Sequence, residues 1–343
     1  MSFQTASKVL NGGEVRVAPA TAQRILAAAV ELGYSPNSIA RSLVQRATAT
    51  IGLVAGDLTD AALAKFAVAA EQAARRHGLA VLVGNIVGGL GERGSGAPGD
   101  GAKVVRMLVE RRVDGIIAAA PQLEEDAEVA ELLRRYVPAV SLHHVPGGGV
   151  PVVGSNHREA GRIATEHLLS QGHRRIATVT GPFRRLVVRS RTRGYEDALR
   201  AEGVDPSDDL AVEADWTPGG AAAATRLLLE RDPQVTAVFV HSDEMAIGVL
   251  SALGASGRKV PEDVAIVSCD DMPFAEHLTP PLTSVRVPFA QTGEAAVELL
   301  LRRIAGEAVP TEPVLLPVEL VVRRSSGAGA GEGRDGGEGE EAT

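Results

Sequence analysis

The segment YSPNSIARSLV, residues 34–44, divides the chain into two unlike parts. The sequence before it is short, helical and basic, whereas apolar strands alternate with amphipathic helices over most of the length after it. The segment itself predicts a short helix, because Pro36 suits a first turn and Ile39, Leu43 and Val44 fall on one face. A helix with so little apolar area is marginal alone, so we expect it to form only against a partner.

Length and composition limit the class of protein. A chain of 343 residues allows two or three domains, and a 45% hydrophobic content is enough for sizeable cores. Cys269 is the single cysteine, which excludes an intrachain disulfide. We expect a cytosolic protein without a membrane partner, because no apolar run approaches the roughly 20 residues of a membrane span and residues 1–17 do not resemble a signal peptide.

The charge is distributed unevenly. The net charge is −8, yet residues 1–48 carry five basic side chains against two acidic ones. A basic head on an acidic body is compatible with nucleic-acid binding by the head, and equally with an ordinary mixed surface.

Two helices are predicted ahead of the dividing segment. Residues 2–11 (SFQTASKVLN) begin at Ser2, a good N-cap. A second helix runs from Pro19 to Leu32, with proline in its first turn and glycine after its end. Leu26 and Val30 belong to the apolar face that this second helix is expected to pack.

These segments carry a family resemblance. SFQTASKVLNGG (residues 2–13), followed by APATAQRILAAAVELGYSPNSIARSL (residues 18–43), is similar to the DNA-binding head of the LacI/GalR family of bacterial transcription regulators. The match runs through the recognition helix, the third helix and the hinge helix of that family. It implies an effector-controlled homodimeric repressor that binds a pseudo-palindromic operator in double-stranded DNA.

The resemblance also implies which residues contact DNA. Gln4 and Lys8 match base-reading positions of the recognition helix, and Leu43, with Ala40 beside it, matches the wedge that hinge helices insert into the minor groove. Neighbouring polar side chains are expected to bind phosphates. The complete expected set is Ser2, Phe3, Gln4, Thr5, Ser7, Lys8, Asn11, Asn37, Ala40 and Leu43.

One departure from the family concerns the start of the chain. A helix-turn-helix needs a first helix to brace the recognition helix, whereas Met1 falls inside the turn between the two. We therefore expect the native protein to begin roughly 15–20 residues upstream, about one helix and a turn. If residues 1–343 are the true product, the alternative is a cytosolic effector-binding protein that does not bind DNA.

Beyond residue 48 the sequence predicts an α/β fold. Continuous apolar strands separated by amphipathic helices are typical of parallel sheets covered on both faces. The strand candidates are residues 50–55, 80–84, 113–119, 139–142, 175–180, 237–240 and 264–269, and the helix candidates include residues 61–76, 158–171 and 218–230. The resemblance implies a two-lobed body of the type I periplasmic-binding-protein fold, with doubly wound sheets, behind an all-α head.

The predicted domains follow from these patterns. Residues 1–34 form a partial helix-turn-helix head, residues 35–48 a hinge helix and linker, and residues 49–324 a two-lobed domain for effector binding and dimerisation. Residues 325–343 are acidic and glycine-rich, contain no apolar residue larger than alanine, and are expected to be disordered.

Signs of catalysis or of a bound cofactor are weak. Residues 89–94 fit the GxGxxG pattern of dinucleotide-binding loops, but glycine and proline continue to Gly101, so no helix begins there to hold a pyrophosphate. No GxSxG, HExxH or P-loop motif is present. We expect neither enzyme activity nor a cofactor or metal site. A solute-binding protein for transport and an enzyme on a doubly wound sheet remain as rival classes.

Ligands of open α/β sheets bind beyond the carboxyl ends of the strands, so residues that follow strands are the candidates for a site. Asp243 opens a helix and suits capping as well as ligand binding. Taken alone, Arg191 would equally suit the surface of a helix, Trp216 would suit a core, and His143 would suit an ordinary loop. The resemblance implies that the effector is a sugar or sugar derivative, contacted by His143, Arg191, Trp216, Ser242, Asp243, Asp270 and Phe289.

A second departure concerns the expected site. Residues 60–63 read Asp-Ala-Ala-Leu where the family often has Asn-Pro-Phe-Phe. We therefore expect the aromatic wall at this segment to be missing.

Overall fold

The helices and strands follow from a computed structural model of the protein, which describes residues 3–10, 17–34, 47–86, 99–142 and 145–327. The α-helices are α1 (Phe3–Leu10), α2 (Pro19–Glu31), α3 (Ala61–Arg76), α4 (Asp100–Glu110), α5 (Ala127–Tyr136), α6 (His157–Ser170), α7 (Leu186–Ala201), α8 (Pro218–Arg231), α9 (Asp243–Ala255) and α10 (Phe289–Ile304). Among the helices in these ranges, none combines the length and the apolar character needed to cross a lipid bilayer.

The strands are short and mostly parallel. They are β1 (Thr50–Ala55), β2 (Ala80–Asn85), β3 (Gly115–Ala119), β4 (Ala139–Ser141), β5 (Val153–Ser155), β6 (Ile176–Thr180), β7 (Ala211–Glu213), β8 (Ala237–Val240), β9 (Ala265–Asp270), β10 (Thr283–Arg286), β11 (Val314–Leu316) and β12 (Glu319–Val321).

Two sheets define two lobes. The sheet of the first lobe has the order β2-β1-β3-β4 and is parallel throughout. The sheet of the second lobe has the order β12-β10-β9-β8-β6-β7 and is parallel except for the edge pair β10 and β12. β5 and β11 form a separate parallel pair. The predicted α/β class, with parallel sheets in a two-lobed body, is confirmed.

Within residues 145–327 the chain passes between the lobes three times. It leaves β5 for α6 in the second lobe, returns near Val287 to α10, which packs against α3 of the first lobe, and crosses back between β11 and β12. The lobes are therefore joined by three neighbouring segments rather than by one linker.

The strands of the first lobe are buried on both faces. Leu53 of β1 and Ile117 of β3 pack in the cluster beneath α3 and α10, whereas Val54 and Ile116 pack in the cluster beneath α4 and α5. Two-sided burial requires an apolar residue at every position, which is why these strands stand out in the sequence.

The sequence pattern did not predict β5, β7, β10, β11 or β12. β7, β11 and β12 are three-residue strands with partly exposed side chains, and β5 is buried but has only three residues, so none of them forms an apolar run. β10 is different, because Thr283 and Ser284 are fully buried. Their hydroxyls donate to the Arg323 carbonyl oxygen and to the Asp243 carboxylate, so polar residues occupy an interior strand.

The predicted disordered tail begins too early. Ser325 and Ser326 lie in a 3-10 turn and are 0% and 1% exposed. The Ser325 hydroxyl donates to the carbonyl oxygen of Ile266 at 2.7 Å and accepts the backbone N–H of Thr283 at 2.8 Å. These bonds satisfy a polar side chain that composition alone assigns to solvent. Residues 328–343 lie outside the described residues.

The head is only partly packed. α1 contacts α2, and Ile25 of α2 is buried. Leu26 and Val30 of the predicted packing face are 50% and 82% exposed. Residues 35–44 of the predicted dividing helix, and the predicted cap Ser2, lie outside the described residues.

Candidate functional site

A cavity lies between the two lobes, at the carboxyl ends of their strands. The first lobe lines it with Asp57, Asp60, Ala61, Ala62, Leu63, Phe66, Pro121 and Leu142, and the second lobe with His157, Pro182, Arg184, Arg185, Arg191, Trp216, Ser242, Glu244, Asp270, Met272 and Phe274. Val287, Phe289 and Thr292 line it from the segment that returns to the first lobe. We call it the interlobe cavity. Its position is where open α/β sheets bind ligands.

Arg191 and Asp270 form a buried ion pair in the wall of this cavity. Arg191, on α7, is 3% exposed, and its Nη2 donates to Asp270 Oδ1 at 3.2 Å while its Nη1 donates to the carbonyl oxygen of His241. Among the described residues, its Nε has no hydrogen-bond partner. A buried N–H without a partner is costly, so this arginine is held at some cost in free energy.

The backbone around Asp270 is unusual. Asp270 has φ of 116° and Asp271 has φ of 51°, a region that residues with a side chain seldom adopt. Such backbone strain clusters at functional sites. Asp270 points to the interlobe cavity, whereas the Asp271 carboxylate accepts from Arg286 at 2.8 Å and from Arg323 at 2.7 Å. Of these two adjacent carboxylates, Asp270 therefore faces the cavity and Asp271 holds two arginines of the protein.

The Asp270 carboxyl is set apart by its surroundings. Burial raises its pKa to about 8, in spite of the opposing effect of Arg191. Asp243, and Asp60 from the other lobe, contribute to that rise. This carboxyl can therefore either donate or accept a hydrogen bond near neutral pH.

Trp216 supplies an apolar face. It follows β7 with φ of 67°, again in the left-handed region. A Cβ added at Gly181 would overlap the indole ring, so the absence of a side chain at Gly181 lets Trp216 take its place in the wall. Trp216 is therefore held by a local fit as well as by its backbone.

Other aromatic side chains reach the cavity from elsewhere. Phe289, predicted from the sequence, opens α10, while Phe66 and Phe274 line the cavity without having been predicted. Residues 60–63 bring no aromatic group, as expected. Phe66 lies one helical turn beyond Ala62 on α3, and that spacing is the signal which could have identified it.

Ser242 lies where the sequence predicted it. It lines the cavity and is the N-cap of α9, with its hydroxyl accepting a backbone N–H of the first turn at 3.1 Å. The helix-capping role that Asp243 also suited therefore belongs to Ser242.

The expectation that Asp243 contacts a ligand requires correction. Asp243 is fully buried and does not line the interlobe cavity. Its carboxylate accepts the hydroxyl of Ser268, the hydroxyl of Ser284 at 2.7 Å and the backbone N–H of Met272 at 2.6 Å. The sequence shows a carboxylate after a strand, but it does not show that Ser268 on β9 and Ser284 on β10 donate hydrogen bonds to it.

Asp60 shows how the first lobe presents polar groups. It is the N-cap of α3, and its Oδ1 accepts from the N–H groups of Ala62 at 2.8 Å and Leu63 at 3.2 Å. An aspartate directly before an amphipathic helix predicts this cap. Asp57, His157, Arg184, Arg185 and Glu244 also line the cavity, and none of them was predicted from the sequence.

The lobes touch at one end of the cavity. α7 begins at Leu186 without a side-chain cap from its own N-cap residue, and the buried Glu124 of the first lobe accepts the Leu186 N–H at 2.9 Å. Beside it, Arg185 Nη1 donates to the carbonyl oxygen of Pro121 at 2.8 Å. Burial lowers the pKa of Arg185. We call these two contacts the interlobe bridge.

Several predicted residues cannot be placed. His143 lies outside the described residues. Phe3, Gln4, Thr5, Ser7 and Lys8 fall within α1, where only the Thr5 side chain is described and is half-buried; Ser2, Asn11, Asn37, Ala40 and Leu43 lie outside the described residues. In the ranges that the structure covers, no group of three or more His, Cys, Asp or Glu side chains is arranged to hold a metal ion.

The chain is similar in sequence and in fold to known proteins. A family model described as a periplasmic binding protein-like domain matches residues 165–326. The HTH-type transcriptional regulator CelR of Thermobifida fusca is 38% identical, over 94% of each chain. The solved CelR–cellobiose complex is 34% identical over 93% of this chain and 94% of that one, with a TM-score of 0.74. The lac repressor dimer bound to operator and the anti-inducer ONPF is 30% identical over 95% and 96%, with a TM-score of 0.84.

Proposed function

The chain belongs to the LacI family of transcription regulators, and from that premise we propose that a neutral sugar bound in the interlobe cavity controls its affinity for an operator. Membership confirms the resemblance predicted from the head. The chain is an effector-controlled, DNA-binding regulator of transcription. Its relatives are regulators, and we propose that it too catalyses no reaction and acts in the cytoplasm.

The observation that carries the sugar proposal is the Arg191–Asp270 pair. Arg191 and Asp270 already hydrogen-bond to each other inside the protein, and Arg185 is engaged by the carbonyl oxygen of Pro121. An anionic or cationic ligand would compete with these partners for a buried charge, which is costly. A neutral polyol instead leaves the pair intact and can hydrogen-bond to the Asp270 carboxyl, which lines the cavity and can donate or accept.

The apolar groups of the cavity support the same ligand class. Sugar rings have apolar C–H faces, which aromatic surfaces match. Trp216, Phe66, Phe274 and Phe289 provide such surfaces. CelR has been solved with cellobiose, which makes that disaccharide the first ligand to test.

In this proposal five predicted residues keep a role at the effector. Arg191 and Asp270 bind hydroxyls, Ser242 offers its hydroxyl, and Trp216 and Phe289 cover ring faces. His143 stays in the proposed set on the strength of its sequence position alone. Asp243 leaves it, because its carboxylate is occupied by other partners.

The proposed coupling runs from the cavity to the head. Residues 49–324 would bind the effector and dimerise, and a ligand that touches both lobes would favour one lobe arrangement over another. That change would alter the spacing of the hinge segments, residues 35–48, in a dimer on a pseudo-palindromic operator. Residues 1–34 would place Gln4 and Lys8 in the major groove, while Leu43 would enter the minor groove. Coupling of this kind is typically about 1–3 kcal/mol.

The test combines two measurements on the full chain. Calorimetric titration with cellobiose, maltose, lactose, ribose and glucose should find a binding sugar, and Trp216→Leu should weaken its binding about tenfold or more. A gel-shift titration on a pseudo-palindromic site from the region upstream of the protein's own gene should then show an apparent affinity that this sugar changes about fivefold or more.

Two matched variants locate the function. Gln4→Ala with Lys8→Ala should abolish the gel shift and leave sugar binding unchanged, while Trp216→Leu should leave the sugar-free gel shift unchanged. If no neutral sugar binds but an anionic metabolite does, the sugar assignment is overturned.

A further inference from the structure

A second cavity adjoins the interlobe cavity. The two share six lining residues, Ala61, Asp270, Met272, Phe274, Val287 and Phe289. Beyond this shared wall, the second cavity runs between α3 of the first lobe and the segments around Arg286 and Leu316 that carry the chain between the lobes. A ligand in the interlobe cavity would therefore contact side chains that also line the second cavity.

The shared wall is thin on the side of the first lobe. Ala61 is the residue of that lobe that lines both cavities, and it is exposed at the first position of α3. A methyl group there leaves room that a larger side chain would fill. The interlobe bridge lies elsewhere, because Pro121 and Arg185 line the interlobe cavity but not the second one. Because the interlobe bridge joins the lobes away from the second cavity, a longer ligand can extend past Ala61 into that cavity.

The second cavity carries polar groups that are free to bind. Lys65 and Gln72 project from α3, and Gln291 from the first turn of α10. Within the described residues these three side chains make no hydrogen bond or ion pair with the protein. By contrast, Arg286 in the same cavity is engaged by Asp271 and Glu319. Amide groups beside apolar surface, here Val68 and Val318, suit hydroxyls on a sugar ring.

We propose that the effector is a neutral oligosaccharide longer than a disaccharide, with its first units in the interlobe cavity and its distal units in the second cavity. This inference rests on the proposed sugar effector and adds its length and direction. Lys65, Gln72 and Gln291 bind the hydroxyls of the distal units, and Ala61 admits the linkage between the two cavities.

Calorimetric titration of the full chain with two oligomer series tests the inference. The series are β-1,4-linked glucose from cellobiose to cellotetraose and α-1,4-linked glucose from maltose to maltotetraose. In the series that binds, the tetrasaccharide should bind about five- to tenfold more tightly than the disaccharide, as expected for one or two added hydrogen bonds. The triple variant Lys65→Ala, Gln72→Ala, Gln291→Ala should abolish that gain and leave disaccharide affinity unchanged.

Two further variants sharpen the result. Arg75→Ala lies on the same helix, lines neither cavity, and should keep the full gain with length. Ala61→Phe should remove the gain by filling the passage, and because Ala61 is exposed the larger ring does not overfill the core.

The outcomes separate this inference from the function on which it rests. If the disaccharide binds and longer oligomers bind no more tightly, the inference is overturned while the sugar effector stands. A gain that survives in the triple variant overturns the placement in the second cavity. If no saccharide of either series binds, and none of the other sugars does, the sugar effector itself fails.

Discussion

Asp243 and Asp270 stand at the same edge of the second lobe, one opening α9 after β8 and the other ending β9. The region around Asp243 is closed, because its carboxylate accepts hydrogen bonds from β9, from β10 and from the loop that follows β9. The region around Asp270 is open to the interlobe cavity, has a strained backbone, and holds an arginine with an unused N–H. A carboxylate at the carboxyl edge of the sheet thus stabilises the fold or binds a ligand, according to how many donors surround it.

The largest expected effect comes from emptying the closed region. Asp243→Ala leaves the hydroxyls of Ser268 and Ser284 and the Met272 N–H without their acceptor in the interior. We expect the free energy of unfolding to fall by about 3–5 kcal/mol, measured by urea denaturation followed by circular dichroism. A stable variant that has lost only sugar binding would show instead that Asp243 is a binding residue.

The open region should respond in the opposite way. Asp270→Ala removes a group that faces the interlobe cavity, so the dissociation constant of the bound sugar should rise about 30- to 100-fold. Stability should change by less than in Asp243→Ala, because Arg191 keeps the carbonyl oxygen of His241 as a partner. The comparison breaks if both variants lose stability equally and their remaining folded fractions bind sugar normally.

A smaller effect tests the fit around Trp216. Gly181→Ala forces the indole ring out of place, because the new Cβ overlaps it, and sugar affinity should fall about tenfold. Gly219→Ala is the matched control: its new Cβ meets only the Thr217 hydroxyl, at 3.8 Å, in the first turn of α8. Equal calorimetric affinities for the two variants would contradict the proposed role of Trp216.

The smallest expected effect is a dependence of stability on pH. Because the pKa of Asp270 in the folded chain is raised to about 8, the protonated carboxyl favours folding. This contribution is complete below the unfolded pKa of about 4 and is lost as pH rises through about 8. Between pH 5 and pH 8 the wild-type chain should lose at least about 1 kcal/mol of stability relative to Asp270→Asn, measured by urea denaturation. Parallel pH profiles for the two proteins would refute the raised pKa.

Much of the fold could be predicted because the interior strands are uniformly apolar. β1 and β8 occupy the predicted residues, and α3 runs over its full predicted length. β10 escaped because its buried Thr283 and Ser284 are polar, and their hydrogen bonds depend on residues distant in the chain. Ser325 was assigned to the tail for the same reason.

The site was predictable where the family resemblance reaches individual residues. Trp216 and Phe289 match positions that the resemblance implies for effector contact, and both line the interlobe cavity. Glu124 and Arg185 could not be predicted, because the interlobe bridge joins segments of the two lobes that are distant in the chain. Glu124 and Leu186, for example, are 62 residues apart. The pattern around Asp243 likewise contains no trace of the serines that surround it.

Trp216 has one more consequence. It is the only tryptophan among the 343 residues, and it stands in the wall of the interlobe cavity. Its fluorescence therefore comes from one known place, and a sugar that displaces water from the indole should shift its emission to shorter wavelength. Residues 1–48 contain no tryptophan, so this signal isolates the body from the head. The chain carries a built-in optical reporter whose kinetics can be followed while the operator is bound, without a label on either molecule.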